Sequence, residues 1–298
     1  MNNIKIAAAP ISWGVCEVPG WGHQMSPERV LAEMQELGFD ATEFGPEGFL
    51  PDEPAARAET LERHSMQAVG GFYPAVIHDP DHDPLPGIER ELEAYTAAGA
   101  DTLVLAAATG VDGYDAERPE LDDAGWEIVC RNIDRILAAA KARGVTVSLH
   151  SHVGTMIETP AEVDRILNGT DVDFCFDTGH MFIGGVDPVE FVRKHTGRIS
   201  HAHLKDVALD RARSVQNGEQ AYYDAVVDGM YQPLGQGDID IDSIVGTLIR
   251  AGFDGWFTLE QDTVVADDPA SGAGPIEQAR ASLSYLTKII EEIGRAHV

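Results

Sequence analysis

Short β-rich apolar runs alternate with longer segments of helical period eight times along the chain, and this alternation constrains the fold more than any other feature. Residues 4–10, 41–45, 67–73, 102–106, 145–150, 172–177, 198–203 and 256–260 read as strands. Helical segments follow near 26–38, 54–64, 87–98, 122–143, from 159, from 187, at 241–250 and at 275–293. Their starts carry recognisable chemistry. Ser26, Thr159 and Asp187 each offer a side-chain oxygen to cap the first turn, and Pro27, Pro160 and Pro188 follow where no intrahelical N–H is needed. Val30, Leu31, Met34 and Leu37 recur at helical spacing before Gly38 ends the segment. Eight strand–helix units predict an α/β fold, a (β/α)8 TIM barrel, with residues 1–298 as one domain. An open doubly wound sheet would share the alternation, but no G-x-G-x-x-G follows the first strand and no Walker lysine loop occurs. The long connections at 110–121 and 204–240 both follow strands, which places them on the catalytic face of a barrel.

Charge narrows the partners. Fifty acidic against 21 basic side chains leave a formal net charge of −29. A duplex or an anionic membrane requires a basic face, so neither is expected to bind. Cys16, Cys130 and Cys175 are sparse, odd in number and far apart, which suits a reduced cytoplasmic chain better than a disulfide framework. The apolar run at the N-terminus stops at Pro10, too short for a signal peptide, and no stretch approaches the ~20 apolar residues of a membrane span.

Five of the 11 histidines fall in three short places, each at the C-terminal end of a predicted strand. The fifth strand ends in His150-Ser151-His152, the sixth in Asp177-Thr178-Gly179-His180 and the seventh in His201-Ala202-His203-Leu204-Lys205-Asp206. The eighth ends in Glu260-Gln261-Asp262. Four consecutive strand ends thus deliver His, Asp, His and Glu to one corner of the barrel mouth. Neighbouring strands lie ~4.8 Å apart, so such side chains can converge on one divalent ion. Two imidazoles and two carboxylates without thiolate suit Mn²⁺, Fe²⁺, Co²⁺ or Zn²⁺, with positions open for substrate oxygens. Asp177 is expected to have no helix directly after it to cap, which strengthens its reading as a ligand. His201 and His203 share a face only if the strand runs through both; one is then a ligand and the other a supporting or substrate-facing group.

These motifs resemble a known group. Pro10-Ile11-Ser12-Trp13-Gly14, Thr42-Glu43-Phe44-Gly45 and His150-Ser151-His152-Val153-Gly154-Thr155 are similar to the inosose dehydratases, within the xylose-isomerase-like sugar isomerase/epimerase superfamily. The runs at 177–180 and 201–206, with Gly235-Gln236-Gly237-Asp238-Ile239-Asp240, fit the wider superfamily. The resemblance implies a divalent metal, Mn²⁺ first and Co²⁺, Fe²⁺ or Zn²⁺ as alternatives, held at His150, Asp177, His203 and Glu260. Where a ketose epimerase has a glutamate acid/base, this chain has His150, which favours a dehydratase-like reaction over epimerisation. Whether His150 or His152 meets the metal stays open. The implied activity is a lyase that dehydrates a keto-cyclitol (inosose) or related keto-sugar through an enediolate; the alternative is an isomerase or epimerase of a small ketose or sugar phosphate. Glu260, His150 or His152 is the candidate base, and His180 or Lys205 the candidate acid or oxyanion stabiliser. His180 also resembles a substrate-contacting residue.

Trp13, Trp21 and Phe72 lie near strand ends, where they could stack on a sugar face, although core packing is the stronger expectation. Glu43 and His201 are further candidates for substrate contact. Arg211 and Arg213 are expected on a solvated loop face. The last helix carries an apolar stripe (Leu283, Leu286, Ile289, Ile290, Ile293) that suits packing on the barrel or on a second copy in a homo-oligomer.

Overall fold

The computed structural model describes residues 4–296. Its strands are β1 (Lys5–Ala8), β2 (Ala41–Glu43), β3 (Gln67–Ala75), β4 (Thr102–Ala107), β5 (Thr146–His150), β6 (Asp173–Asp177), β7 (Ile199–Leu204), β8 (Asp206–Val207), β9 (Tyr231–Gln232) and β10 (Trp256–Leu259). Eight of them close a barrel in the order β1-β10-β7-β6-β5-β4-β3-β2, and β8 with β9 forms a separate pair. All neighbours in the barrel run parallel, whereas β8 and β9 are antiparallel. Parallel strands are covered on both faces, which is why β4 is buried at every residue and reads as a continuous apolar run.

Helices α1 (Pro27–Leu37), α2 (Pro54–Arg63), α3 (Leu85–Ala98), α4 (Asp123–Lys141) and α5 (Pro160–Gly169) follow the first five strands. After them come α6 (Thr178–Ile183), α7 (Pro188–His195), α8 (Leu209–Gln216), α9 (Tyr222–Val227), α10 (Ile241–Arg250) and α11 (Pro275–Ala296). The expected caps operate. The Ser26 hydroxyl accepts from the Arg29 N–H, and Thr159 with Glu162 closes a capping box on α5. Each such cap contributes about 1 kcal/mol. Two bulges interrupt the ladders, between Thr42 and Glu43 and between Phe174 and Cys175, so each precedes an acidic side chain at a strand end and re-aims it. Gly70 has φ 131°, and a Cβ there would lie 1.8 Å from the Thr102 carbonyl oxygen; only glycine lets β3 pass β4 this closely.

The apolar stripe of α11 is covered by its own barrel. Leu286 and Ile289 are buried, and Leu283, Ile290 and Ile293 pack against the same core. Among the described residues no helix is long and apolar enough to cross a membrane. The 204–240 segment departs from the simple loop expected there, for it folds into β8, α8, α9 and β9. Arg211 faces solvent beside Asp228, 3.7 Å away.

Candidate metal centre and active site

Asp177 ends β6 and also starts α6. Its Oδ1 accepts the His180 backbone N–H at 2.8 Å, which corrects the expectation that Asp177 has no helix directly after it to cap. α6 is only six residues long, too short to show a helical period. Capping and ligation are compatible here, because Oδ2 takes no part in the cap and faces His150, His203 and Lys205. It lies 3.2 Å from His150 Nε2, 3.6 Å from His203 Nδ1 and 3.4 Å from Lys205 Nζ. Glu260, just past β10, brings Oε2 to 3.2 Å from the same Nδ1 and 3.0 Å from the same Nζ.

β7 persists through both of its histidines, so both imidazoles point inward at different depths. Glu43 Oε1 takes Nε2 of each at 2.8 Å. His203 therefore turns Nδ1 toward Asp177 and Glu260. That atom is buried and makes no hydrogen bond. A histidine whose far nitrogen is fixed by a carboxylate, with its near nitrogen unpartnered among carboxylates, is the arrangement of a metal ligand. Asp177, His203 and Glu260 offer ligand atoms that all lie within 4.8 Å of one another, and His150 adjoins them through Asp177. The donor set fits a divalent cation without thiolate. Between the two sequence candidates, His150 is the one against Asp177, whereas His152 stacks on His180 with ring centroids 3.6 Å apart.

The electrostatics follow from burying many charges together. Burial works against the Lys205 ammonium, but Asp177, Asp262 and Glu260 outweigh it and hold its proton affinity well above the usual lysine range. The same ammonium, against the penalty of burial, keeps the Asp177 carboxyl well below the usual carboxylate range. Burial, His150 and Lys205 push His152 well below the ordinary histidine value, so its ring is neutral. Its Nδ1–H donates to the Val153 carbonyl at 2.6 Å, which leaves the lone pair on Nε2. His180 is held neutral in the same way, by burial, His152 and Lys205, and its Nε2 accepts from Lys205 Nζ at 2.9 Å.

These groups line a cavity at the barrel mouth with Glu43, His150, His152, His203, Lys205, Glu260 and Asp262 on its polar side. Trp21, Phe72 and Tyr114 supply aromatic wall, and Glu17 stands at the rim hydrogen-bonded to the Tyr114 hydroxyl. His180 lies behind this lining, buried against Lys205 and His152.

Two sequence candidates for substrate contact are corrected. Trp13 is wholly buried in the turn after β1, and its Nε1–H donates to Glu33 of α1 at 2.8 Å, so its ring belongs to the core between barrel and helices. His201 is one pleat below His203 in the barrel interior, bonded to Glu43 and to Thr258 at 3.2 Å, and does not reach the cavity. Glu43 does reach the cavity floor, with Oε1 bonded to both imidazoles. Asp262, Tyr222 and Tyr114 were not singled out from sequence. Asp262 carried the available signal, a second carboxylate two residues after Glu260; Tyr114 lies in a loop and Tyr222 opens the six-residue α9, and neither segment is long enough to show a period.

Residues 31–289 match the xylose isomerase-like TIM barrel family. The chain is 31% identical to the rhizopine catabolism protein MocC of Rhizobium meliloti, over 99% of this chain and 91% of that one. It is 31% identical to an inosose dehydratase of Geobacillus kaustophilus, over 98% of this chain and 97% of the relative. Among solved structures, an IolI protein with a bound zinc atom superposes with a TM-score of 0.70 at 15% identity, covering 97% of this chain and 99% of that one.

Proposed function

The chain belongs to the xylose isomerase-like TIM barrel family, and from that premise we propose that it is a metal-dependent lyase removing water from a keto-cyclitol such as inosose, or from a closely related keto-sugar. The observation that carries the proposal is the pairing, in one cavity, of a buried ammonium at Lys205 with a neutral imidazole at His152, beside the Asp177, His203 and Glu260 cluster. The full-length similarity to an inosose dehydratase supports the substrate class.

Asp177, His203 and Glu260 would hold the ion, with His150 adjoining; the all-N/O set suits Mn²⁺, Co²⁺, Fe²⁺ or Zn²⁺, and the family resemblance puts Mn²⁺ first. Bound there, a divalent ion supplies Lewis-acid stabilisation of negative charge on a ketone oxygen. The chain's own groups handle the protons. His152 Nε2 takes the proton from the carbon next to the ketone, and that C–H pair becomes the new C=C bond. The C–O bond of the next carbon breaks with its electrons staying on oxygen, and Lys205 Nζ donates the proton that makes it water. Proton exchange with solvent then resets the imidazolium and the amine. The remaining enol tautomerises to a diketone. General acid–base groups of this kind contribute ~10²–10⁴-fold each.

By the family resemblance, the related ketose epimerases carry a glutamate acid/base where this chain has His150, which is bonded to Asp177. The cavity lining holds the carboxylates Glu17, Glu43, Glu260 and Asp262 against Lys205 as its basic residue, which favours an uncharged substrate over a sugar phosphate. Three free cysteines support a reducing, cytoplasmic location. The test is to incubate Mn²⁺-loaded protein with inosose and with simple ketoses, following diketone absorbance and sugar exchange. Diketone from inosose is expected. No turnover of inosose, with ketose interconversion observed, would overturn the reading.

A further inference from the structure

We propose that Tyr222, acting through Asp262, is a positioning residue that aims the Lys205 ammonium at the reacting centre, so that the segment between β7 and β10 completes the active site. The inference rests on the reading above for the chemistry Lys205 performs.

Asp262 is buried with both oxygens engaged. Oδ1 accepts from Lys205 Nζ at 2.5 Å, and Oδ2 accepts from the Tyr222 hydroxyl at 2.5 Å. Tyr222 also meets the Tyr231 hydroxyl at 3.0 Å, and that hydroxyl is 3.5 Å from His180 Nδ1. Both nitrogens of His180 are thus directed, and its Nε2 is the second acceptor for Lys205. A lysine has a long flexible stem, and its ammonium is a point charge without a preferred plane. Held by Asp262 and His180, this one stands 3.0 Å from Glu260 Oε2 and 3.4 Å from Asp177 Oδ2.

Tyr222 is itself held from a different loop. Asp115, in the connection after β4, accepts the Tyr222 N–H at 2.5 Å and the Tyr223 N–H at 3.1 Å, fixing the start of α9. Trp21, in the loop after β1, packs against both tyrosines at 6.4 and 5.4 Å. Room for the lysine stem comes from Gly179, where a Cβ would lie 2.8 Å from Lys205 Cβ and 3.0 Å from Tyr231 Cε1. Tyr222 does not line the cavity, so it acts on substrate indirectly, and its shortest route to Lys205 runs through Asp262.

The test compares wild type, Y222F, D262N and the double variant, each loaded with Mn²⁺ and assayed on inosose. Removing a partner that orients a functional group typically costs ~10–100-fold. The expected result is a kcat loss of about that size in Y222F and at least as much in D262N, with KM within about threefold. The double variant should lose no more than D262N alone, because Tyr222 acts through Asp262. A second readout needs no substrate: peptide-resolved reductive methylation of Lys205 should be faster in both single variants than in wild type. Unchanged kcat, a loss confined to KM, or multiplicative losses in the double variant would overturn the proposal. If wild type itself is inert on inosose, the functional reading fails instead. The methylation rates then decide the positioning claim alone: faster labelling supports it and unchanged labelling overturns it.

Discussion

Glu43 Oε1 lies 2.8 Å from His203 Nε2, on the side of the ring opposite the buried Nδ1 that faces Asp177 and Glu260. A carboxylate at the end of β2 thus sets the orientation of an imidazole on β7, across the barrel. Burial works against the Glu43 charge, yet His203 and His201 hold its carboxyl far below the usual carboxylate range.

The first prediction concerns this pair. Glu43→Gln keeps the shape of the side chain but removes the charge that orients His203. Affinity for Mn²⁺, measured by isothermal titration, should fall ~10–100-fold while the far-ultraviolet spectrum is unchanged. Affinity within twofold of wild type would contradict the assigned role.

Trp13 separates a core residue from a substrate contact. Trp13→Phe removes the hydrogen bond to Glu33 and should cost about 1–2 kcal/mol in urea denaturation. KM for inosose should stay within about twofold, since the ring is not at the cavity. A KM raised severalfold at unchanged stability would return Trp13 to the substrate site.

Asp206 is the hub of the 235–240 turn. Its carboxylate accepts the backbone N–H groups of Val207, Gly235, Gly237 and Ile239 at 2.9–3.0 Å. Asp206→Ala leaves those donors without their acceptor and should cost about 3 kcal/mol or more. A denaturation midpoint equal to wild type would show that the turn does not depend on it.

Thiol reactivity has a definite pH sign. Burial pushes the Cys175 thiol up to about 12, and burial together with Glu17 pushes Cys16 far higher than its ordinary value. A thiol whose proton affinity is raised by folding has little thiolate at pH 8, so its labelling accelerates only as pH rises, or on unfolding. In the native protein at pH 8, Cys16 and Cys175 should resist a disulfide reagent, and both should react at once in guanidinium. Rapid native labelling of either would contradict their buried setting.

The barrel was legible because its signals repeat. Caps at Ser26, Thr159 and Asp187, proline in the first turn and largely apolar, buried strands recur along the chain. The strand-end grouping of His150, Asp177, His203 and Glu260 was legible for the same reason, since the ends of parallel strands share one rim. What escaped was short or tertiary. α6 and α9 have six residues each and α8 has eight, lengths at which packing rather than periodicity decides helicity. Trp13 and Trp21 are alike in sequence context, yet one is turned to α1 and the other to the cavity. The link from Tyr222 to Asp262 spans 40 residues and exists only once three loops meet.

The most direct test of the account is the metal dependence of inosose dehydration. Diketone absorbance should appear with Mn²⁺-loaded wild type, vanish after chelation, return when the ion is restored, and be absent in His203→Ala, which should also fail to retain the metal. Undiminished turnover by chelated protein, or an unchanged metal content in His203→Ala, would contradict it.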